Sequence, residues 1–299
     1  MNYGLTMPPI GPFSDPKVLS DLAVDAENAG WDGFFIWDHN IYFSPHEPRV
    51  PMHPLVDPWI GLAAVAVKTS RIKLGPMVTS LARRRPWKVA RETASLDLLS
   101  GGRLIMGIGL GSPADLDFGT FGEETDDKAR ARKMDEGLAI LDGLWTGEPF
   151  SFNGEFYNVA EVTFLPRPVQ SPRIPIWIGG GWNTAPAARR AARWDGFFPL
   201  KWLQLISVDE WHGIIDHVNA SRSSDVPITF IQNGYTPGDD PARAAEIVAP
   251  FAEMGLHWWI ENIDPWRFGL SWSELVSPEA AARMTERVRQ GPPRVHTTA

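Results

Sequence analysis

Short apolar runs alternate with longer amphipathic segments along most of this chain. The apolar runs are mostly continuous, which is typical of strands that are covered on both faces of a parallel sheet. The predicted strands are Tyr3–Met7, Gly33–Trp37, Ile72–Val78, Leu104–Ile108, Ile174–Ile178, Gly196–Pro199, Ile228–Gln232 and His257–Asn262. The predicted helices are Asp15–Asn28, Asp57–Lys68, Trp87–Leu99, Lys128–Trp145, Thr184–Arg193, Val208–Ser221, Pro241–Met254 and Ser273–Arg289. These alternations predict an α/β fold, a single (β/α)8 TIM barrel that forms one domain over residues 1–299.

Residues 146–173 interrupt the alternation. Asn153-Gly154 stands between Phe152 and Phe156 and is a strong signal for a β-hairpin turn. We therefore predict a hairpin-containing insertion between the fourth helix and the fifth strand, within the barrel domain. A Rossmann-type two-domain fold is the structural alternative. It is weaker, because the first βα turn has no GxGxxG motif and the later glycines have the wrong spacing.

Two of the predicted strands end in glycine-rich loops. The fourth strand leads into Gly107, Gly109 and Gly111, and the fifth leads into residues 179–181, which are all glycine. Glycine leaves bare backbone that a ligand can approach closely. Because active sites of parallel α/β folds lie at the C-terminal ends of the strands, the two loops predict a cofactor pocket.

Composition and charge narrow the class of protein. There are 28 basic and 36 acidic residues, so the net charge of -8 argues against binding to nucleic acid or to an anionic membrane surface. The absence of cysteine excludes disulfides and thiolate sites. No apolar run approaches the roughly 20 residues of a membrane-spanning helix, and no signal peptide is visible. The expectation is a cytoplasmic enzyme.

Several long motifs occur in a fixed order, namely LDLLSGGRLIMGIGLG, LAILDGLWTGEPFSFNGEFYNV, FLPRPVQSPRIPIWIGGG and ARWDGFFP. With AGWDGFFIWDH and TSRIKLGPMVTSL, they closely resemble the bacterial luciferase-like flavin-dependent monooxygenase superfamily over roughly residues 3–200. The resemblance implies a (β/α)8 barrel, often a homodimer. It also implies that FMN or the deazaflavin coenzyme F-420 (F420) binds at the C-terminal face of the barrel.

Asp38-His39 follows the second strand, where a side chain would enter the barrel mouth. His39 could act as a general acid or base, with Asp38 setting its tautomer or contacting the cofactor. The alternative is a structural histidine in a loop. In deazaflavin members of the superfamily a histidine after strand two often serves catalysis, so the resemblance favours the catalytic role.

The resemblance assigns cofactor contacts to three further segments. Met77 and Val78 would form a non-proline cis peptide that backs the flavin ring. The loop after strand four would contribute Gly109, Leu110 and Gly111. The cofactor phosphate would bind Gly179, Gly180, Gly181 and Thr184, because free backbone NH groups at a helix N-terminus attract anions. The alternative for this last segment is a tight turn that needs glycine for packing alone.

Two positions depart from the better-known members of the superfamily. True luciferases place an arginine near the phosphate where this chain has Leu110. A sugar-phosphate dehydrogenase of the deazaflavin group places a catalytic glutamate where this chain has Ser112. Neither luciferase chemistry proper nor a copy of the sugar-phosphate mechanism follows from the resemblance.

Charged residues after other strands are weaker candidates. Residues 83–85 are all arginine and could grip a phosphate or an acidic coenzyme tail, or form a solvated surface cluster. Glu261, near the end of the eighth strand, is a candidate catalytic carboxylate. It would either face the barrel mouth or pair with a basic neighbour such as Arg267.

The leading hypothesis is an oxidoreductase in which FMN or F420 carries out the redox chemistry on a small organic substrate. F420, slightly preferred, would support hydride transfer, whereas FMN would support monooxygenation with a separate reductase as partner. A non-catalytic flavin-binding relative is one alternative. A metal-dependent TIM-barrel hydrolase is another, but no compact metal-ligand motif links its candidate ligands, so no metal site is predicted. Those candidates are His39, His53, His212, His217 and His257.

Overall fold

Parallel strands surrounded by helices form the centre of the protein. The computed structural model describes residues 1–42, 53–202, 204–271 and 274–295. Within these ranges the strands are β1 (Asn2–Met7), β2 (Gly33–Ile36), β3 (Lys73–Pro76), β4 (Thr79–Ser80), β5 (Met106–Gly109), β6 (Pro149–Asn153), β7 (Asn158–Thr163), β8 (Ile176–Gly181), β9 (Gly196–Leu200), β10 (Thr229–Gly234) and β11 (Trp258–Asn262). The α-helices are α1 (Pro16–Asn28), α2 (Pro58–Lys68), α3 (Pro86–Ser100), α4 (Ala114–Asp117), α5 (Asp127–Trp145), α6 (Ala185–Ala191), α7 (Val208–Ser221), α8 (Pro241–Glu253) and α9 (Pro278–Arg289). Short 3-10 helices cover Gly11–Ser14, Leu81–Arg83, Gly119–Phe121 and Pro265–Phe268.

The main sheet closes into a barrel. Its strands pair in the order β3-β2-β1-β11-β10-β9-β8-β5-β4. β3 and β4 are two parts of one strand position, separated by Met77 and Val78. A parallel bridge between Leu74 and Leu104 joins β3 to the segment that leads into β5 and completes the ring. The predicted α/β barrel is therefore confirmed.

Alternate residues of each strand face the barrel interior and the surrounding helices. The interior holds a separate apolar cluster, whereas neighbouring strand residues such as Leu5, Met7 and Trp259 pack in the larger cluster between strands and helices. The interior cluster consists of Phe35, Met77, Ile105, Trp177, Phe198, Ile231, Trp258 and Ile260. This division fixes which side chains at the strand ends point into the barrel mouth.

Local sequence signals set the helix starts. In α7, the Ser207 side chain accepts a hydrogen bond from the backbone NH of Glu210. The Glu210 side chain accepts one from the backbone NH of Ser207, which completes a capping box. Aspartate or serine side chains cap other helices in the same way, because they satisfy NH groups that have no partner within the helix. These caps are Asp15, Asp57, Asp126, Asp240 and Ser277.

Several element boundaries differ from the prediction, and two of the differences concern the second glycine segment and the last helix. β8 continues through Gly181, so the glycines that were expected to follow the strand are part of it. The last helix begins at Pro278, after the Ser277 cap, and the predicted start at Ser273 is wrong for residues 274–277. Ser273 itself lies outside the described residues.

The segment between α5 and β8 contains an antiparallel pair. β6 and β7 pair with each other and not with the barrel, and their Asn153↔Asn158 pair flanks the Asn153-Gly154 turn. None of the helices in the described ranges is long and apolar enough to cross a membrane.

The closure of the barrel depends on a missing side chain at Gly75. A Cβ atom at this position would lie 1.8 Å from the backbone oxygen of Ile105. We expect Gly75→Ala to lower the free energy of unfolding by at least about 3 kcal/mol, the upper range for overpacking, because backbone must move. Urea denaturation measures this change. The matched variant is Gly213→Ala, at an exposed site in α7 with no atom near its Cβ, which should gain about 0.5–1 kcal/mol. Equal effects of the two variants would contradict this account.

Candidate active site

Three strand ends bring charged side chains together at one edge of the barrel mouth. His39 follows β2, Arg83 ends the 3-10 helix after β4, and Asp117 ends α4 after β5. The C-terminal ends of parallel strands meet at the same face of a barrel, so residues distant in sequence become neighbours.

His39 and Asp117 form a hydrogen-bonded pair. His39 Nδ1 lies 2.6 Å from Asp117 Oδ2, and the backbone NH of Asn40 donates to Asp117 Oδ1 at 2.9 Å. The Asp117 side chain is buried, whereas the His39 side chain is 21% exposed. The imidazole is therefore held from one side by a buried carboxylate and stays accessible to a ligand on the other.

The charge of Asp117 fixes the tautomer of His39. Burial raises the pKa of Asp117, but the hydrogen bond and charge of His39, the charge of Arg83 and the Asn40 NH outweigh it and hold the pKa below its usual range. An ionised carboxylate only accepts, so Nδ1 must carry the hydrogen of this bond. Nε2 is then the ring nitrogen that is free to exchange a proton with a ligand.

Asp38 lies at the centre of a buried ion cluster. Arg83 Nη2 donates to Asp38 Oδ1 at 2.7 Å, Arg84 binds both carboxylate oxygens, and the Thr79 hydroxyl donates to Oδ2. Arg83 also lies 3.1 Å from Asp117 Oδ2 and so links the two carboxylates. Burial raises the pKa of Asp38, but the two guanidinium charges and the hydrogen bonds hold it below its usual range. The side chains of Arg83 and Arg84 thus point into the protein. They do not form the solvated surface cluster that is one of the two expectations for this segment.

Val78 forms an apolar platform between the strands that follow it. The Met77–Val78 peptide is cis, as the resemblance implied, and Val78 is partly exposed at the mouth. An added Cβ at Gly109 or Gly179 would each come within 2.7 Å of a Val78 methyl group. These two glycines therefore make room for Val78, and the result is a smooth surface of one apolar side chain and bare backbone.

The second glycine segment forms a tight turn into α6. Gly181 and Thr184 are exposed, and the Thr184 hydroxyl donates to the Gly181 carbonyl at 2.9 Å without capping α6. A Cβ at Gly180 would lie 2.6 Å from Ala187 Cβ. Packing alone accounts for glycine at 180, and phosphate binding at this turn stays a prediction.

The loop after β5 is held by its carbonyl groups. The carbonyl of Leu110 accepts from Ser80 Oγ and from Arg130, each at 2.7 Å, and the carbonyl of Gly111 accepts from Arg130 at 3.0 Å. Gly111 has a φ of +83° and would place a Cβ 2.6 Å from the Ser80 hydroxyl. The buried guanidinium of Arg130, from α5, thus supports this loop from behind.

The model of the luciferase-like monooxygenase family matches residues 5–291 of this chain. The chain belongs to that family. Family membership agrees with the barrel and with the cis peptide at Met77–Val78 that the resemblance implied.

Two relatives and one solved structure show how this member of the luciferase-like family compares with known proteins. An F420-dependent glucose-6-phosphate dehydrogenase of Nakamurella multipartita is 36% identical over 179 residues, 59% of this chain and 49% of that protein. One of Kineococcus radiotolerans is 33% identical over 247 residues, 81% of this chain and 70% of that protein. The alignment thus spans about half the length of the first relative. The solved F420-dependent tetrahydromethanopterin reductase of Methanopyrus kandleri has a TM-score of 0.69 and 16% identity, covering 97% of this chain and 96% of that one, and shows the fold alone.

Glu261 lies in a buried ion cluster of this luciferase-like barrel. Its side chain is fully buried, and it accepts hydrogen bonds from the NH and hydroxyl of Thr236, from Trp259 Nε1 and from Arg267. Arg287 lies 3.3 Å away. Of the two placements expected from the sequence, pairing with Arg267 is the one observed. These contacts occupy both carboxylate oxygens and lend no support to a catalytic role, which stays a prediction.

Asp117 is a candidate site residue that the sequence alone does not single out. It stands in PADLDFGT, where Asp115 and Asp117 look like two surface charges of a loop. Its only signal was position, because it follows a strand that ends at the barrel mouth. Among the described residues, no three His, Asp or Glu side chains are grouped so that they could hold a metal ion.

The lowered pKa of Asp117 predicts how stability depends on pH. The folded state binds its proton less readily than the unfolded state, so the stabilisation is present above the usual carboxyl pKa of about 4 and is lost as the pH falls through the lower folded value. Asp117→Asn should therefore be less stable than wild type at pH 7, and the gap should narrow below about pH 4. Urea midpoints measured across this pH range check this result. A gap that stays constant with pH would rule out an ionised Asp117.

Proposed function

We propose that the protein is an F420-dependent oxidoreductase that moves a hydride between the coenzyme and a small organic substrate. The observation that carries the proposal is the His39–Asp117 pair, in which a partly exposed imidazole is held at 2.6 Å by a buried carboxylate. Hydride transfer from an alcohol also requires that its hydroxyl proton leave, and a positioned histidine is the usual acceptor. F420-dependent relatives at 33–36% identity support the same assignment.

The residues at the mouth fit a flat ring system. Val78 offers a partly exposed apolar surface, and Gly109 and Gly179 have no side chains that could displace a ring from it. These residues would hold the ring of F420, with Gly180, Gly181 and Thr184 towards its phosphate and Leu110 and Gly111 beside them. When bound, F420 supplies a carbon that accepts or releases a hydride.

The chain's own residues handle the proton. As the C–H bond of an alcohol breaks and its C=O bond forms, His39 Nε2 takes the hydroxyl proton, and in reduction it returns that proton to the carbonyl oxygen. Asp117 keeps Nδ1 protonated and stabilises the imidazolium that forms. Arg83 and Arg84 hold Asp38, so the loop that carries His39 keeps its place. Both carboxylate oxygens of Asp38 are therefore engaged by protein groups. Asp38 supports the cofactor site by holding this loop in position, and not by a direct hydrogen bond to the cofactor.

The test is to titrate the purified protein with F420 and, separately, with FMN, and then to follow turnover without oxygen. We expect F420 to bind at micromolar concentration and to be reduced by at least one member of a panel of secondary alcohols and sugars. A deuterium label on the carbinol carbon should slow that reduction. If, in a parallel assay in air, bound reduced FMN supports transfer of an oxygen atom to a substrate, the protein is instead a monooxygenase. Failure of both cofactors to bind would overturn the proposal.

A further inference from the structure

The barrel mouth has a polar wall that the His39 chemistry does not use. We define it as Thr6 on β1, Asn262 on β11 and Asn233 on β10, which are adjacent strands. Gly4 faces the barrel interior, since its Cβ would meet Ile260 and Phe35, so Thr6 two residues later faces the same way. The same alternation places Asn262 two residues after the interior Ile260 and Asn233 two residues after the interior Ile231.

The polar wall contains one hydroxyl group, that of Thr6, whose hydrogen-bonding capacity is unused within the described residues. Thr6 is 3% exposed, and among the described residues its hydroxyl has no hydrogen-bond partner. Thr6 and Asn262 are register partners, and Asn233 Nδ2 lies 3.4 Å from Asn262 Oδ1. A buried hydroxyl normally finds a partner, so one left without any at the end of a strand indicates a ligand that would supply it.

The wall lies across the barrel from the Val78 platform. In the ring of strands, β11 is four positions from β5, and β10 is four positions from the β3/β4 position. A flat ring on Val78 would therefore have the polar wall on the far side of the mouth, and a substrate bound at that ring would lie between the two. Trp37, after β2, and Trp266, after β11, stack at 5.7 Å near this side and add an aromatic surface.

Four basic side chains that follow the barrel strands are already paired with carboxylates, whereas Arg85 is exposed and lies over the Trp87 ring. Arg83 and Arg84 bind Asp38, Lys201 binds Glu210 at 2.7 Å, and Arg267 binds Glu261. Taking any of these cations for a substrate phosphate would leave its carboxylate partner without a counter-ion, and for Asp38 and Glu261 that carboxylate is buried. The observed polar wall offers only hydroxyl and amide groups.

Resting on the proposed function, we infer that Thr6, Asn233 and Asn262 bind a neutral polar group of the substrate. The substrate is then an uncharged alcohol or carbonyl compound whose apolar part packs against Trp37 and Trp266. It is not a phosphorylated sugar, although the relatives named above are glucose-6-phosphate dehydrogenases.

The experiment measures probe binding to the F420-loaded protein by saturation-transfer NMR. The probes are matched pairs that differ by a phosphate: cyclohexanol with cyclohexyl phosphate, and glucose with glucose 6-phosphate. We expect the neutral member of at least one pair to bind more tightly than its phosphorylated partner. Thr6→Val and Asn262→Leu should each weaken that binding by about 2–12-fold, the loss expected for one neutral hydrogen bond, and Thr6→Ser should restore it.

Thr229→Val is the matched control. It makes the same change on the inward face of β10, at the opposite end of the barrel, and should leave probe binding unchanged. F420 affinity should be the same in all of these variants. Tighter binding of the phosphorylated probes, no neutral probe bound at millimolar concentration, or wall variants that behave like Thr229→Val would each overturn the inference. If Thr6→Val and Asn262→Leu weaken F420 binding and leave probe binding unchanged, the polar wall binds the cofactor and not the substrate. If F420 itself does not bind, the proposed function fails. The same probe comparison on the cofactor-free protein then still shows whether the polar wall binds a neutral polar group.

Discussion

Replacing His39 with alanine should lower kcat by about 10²–10⁴-fold, the usual contribution of a positioned general acid or base. The physical reason is that Nε2 is the group able to exchange the substrate proton, since Nδ1 is committed to Asp117 at 2.6 Å. The affinity for F420 should stay within about twofold of wild type, because the ring platform at Val78 does not involve the imidazole. Steady-state kinetics and a coenzyme titration on the same preparation measure both quantities.

Two companion variants separate catalysis from structure. Asp117→Asn keeps the shape of the side chain but removes the charge that fixes the tautomer, so kcat should fall by less than in His39→Ala. In ¹⁵N NMR, the Nδ1–H signal of His39 should then lose its downfield shift, which a purely structural role would not require. His212→Ala, at an exposed position on α7, is the matched histidine control and should keep full activity. Full activity in His39→Ala would sink the assignment of His39 as the proton-transfer group.

Asp38→Asn should destabilise the protein by about 3–5 kcal/mol, as expected when one partner of a buried ion cluster is removed. Asp38 is 4% exposed, and the side chains of Arg83 and Arg84 are 3% and 18% exposed. Without the carboxylate, two largely buried guanidinium groups would face each other with only Asp117 left to pair with Arg83. Urea denaturation at pH 7 gives the change in the free energy of unfolding.

A surface ion pair provides the comparison for Asp38. Asp21→Asn removes the partner of Lys68 in a pair whose side chains are 70% and 40% exposed, and should cost about 1 kcal/mol or less. A loss from Asp38→Asn no larger than that from Asp21→Asn would mean that water reaches the guanidinium groups. The ion cluster would then be dispensable for holding the His39 loop.

Much of the barrel could be predicted, because its signals are local. Continuous apolar runs mark strands that are covered on both faces, and side chains such as Asp57 and Ser207 mark helix starts through hydrogen bonds only two or three residues away. The sequence predicts too early a start for the last helix, because Ser277, which caps it, lies inside a run of residues that suits a helix. Local sequence preference indicates which residues are able to cap a helix, but tertiary packing decides which of them does so.

The candidate site was harder, because its partners are far apart in sequence. The position of His39 after a strand marks it as a candidate, but its partner Asp117 is 78 residues away in the chain, and no spacing rule connects them. Glu261 has the same kind of position as His39 but lies in a buried ion cluster, since Arg267 and Arg287 reach it from outside the barrel strands. The end of a strand thus indicates that a residue lies near the barrel mouth. Which groups its side chain contacts depends on the tertiary fold.

Val78 has a consequence for how this barrel can vary over evolutionary time. Its two methyl groups occupy the space that side chains at Gly109 and Gly179 would need, so these positions on three strands share one volume. A lineage could not enlarge either glycine while valine remains, whereas a smaller residue at 78 would free both sites at once. Amino-acid choices at 78, 109 and 179 should therefore be inherited as a set, and a mutant library meant to reshape the mouth must vary all three together.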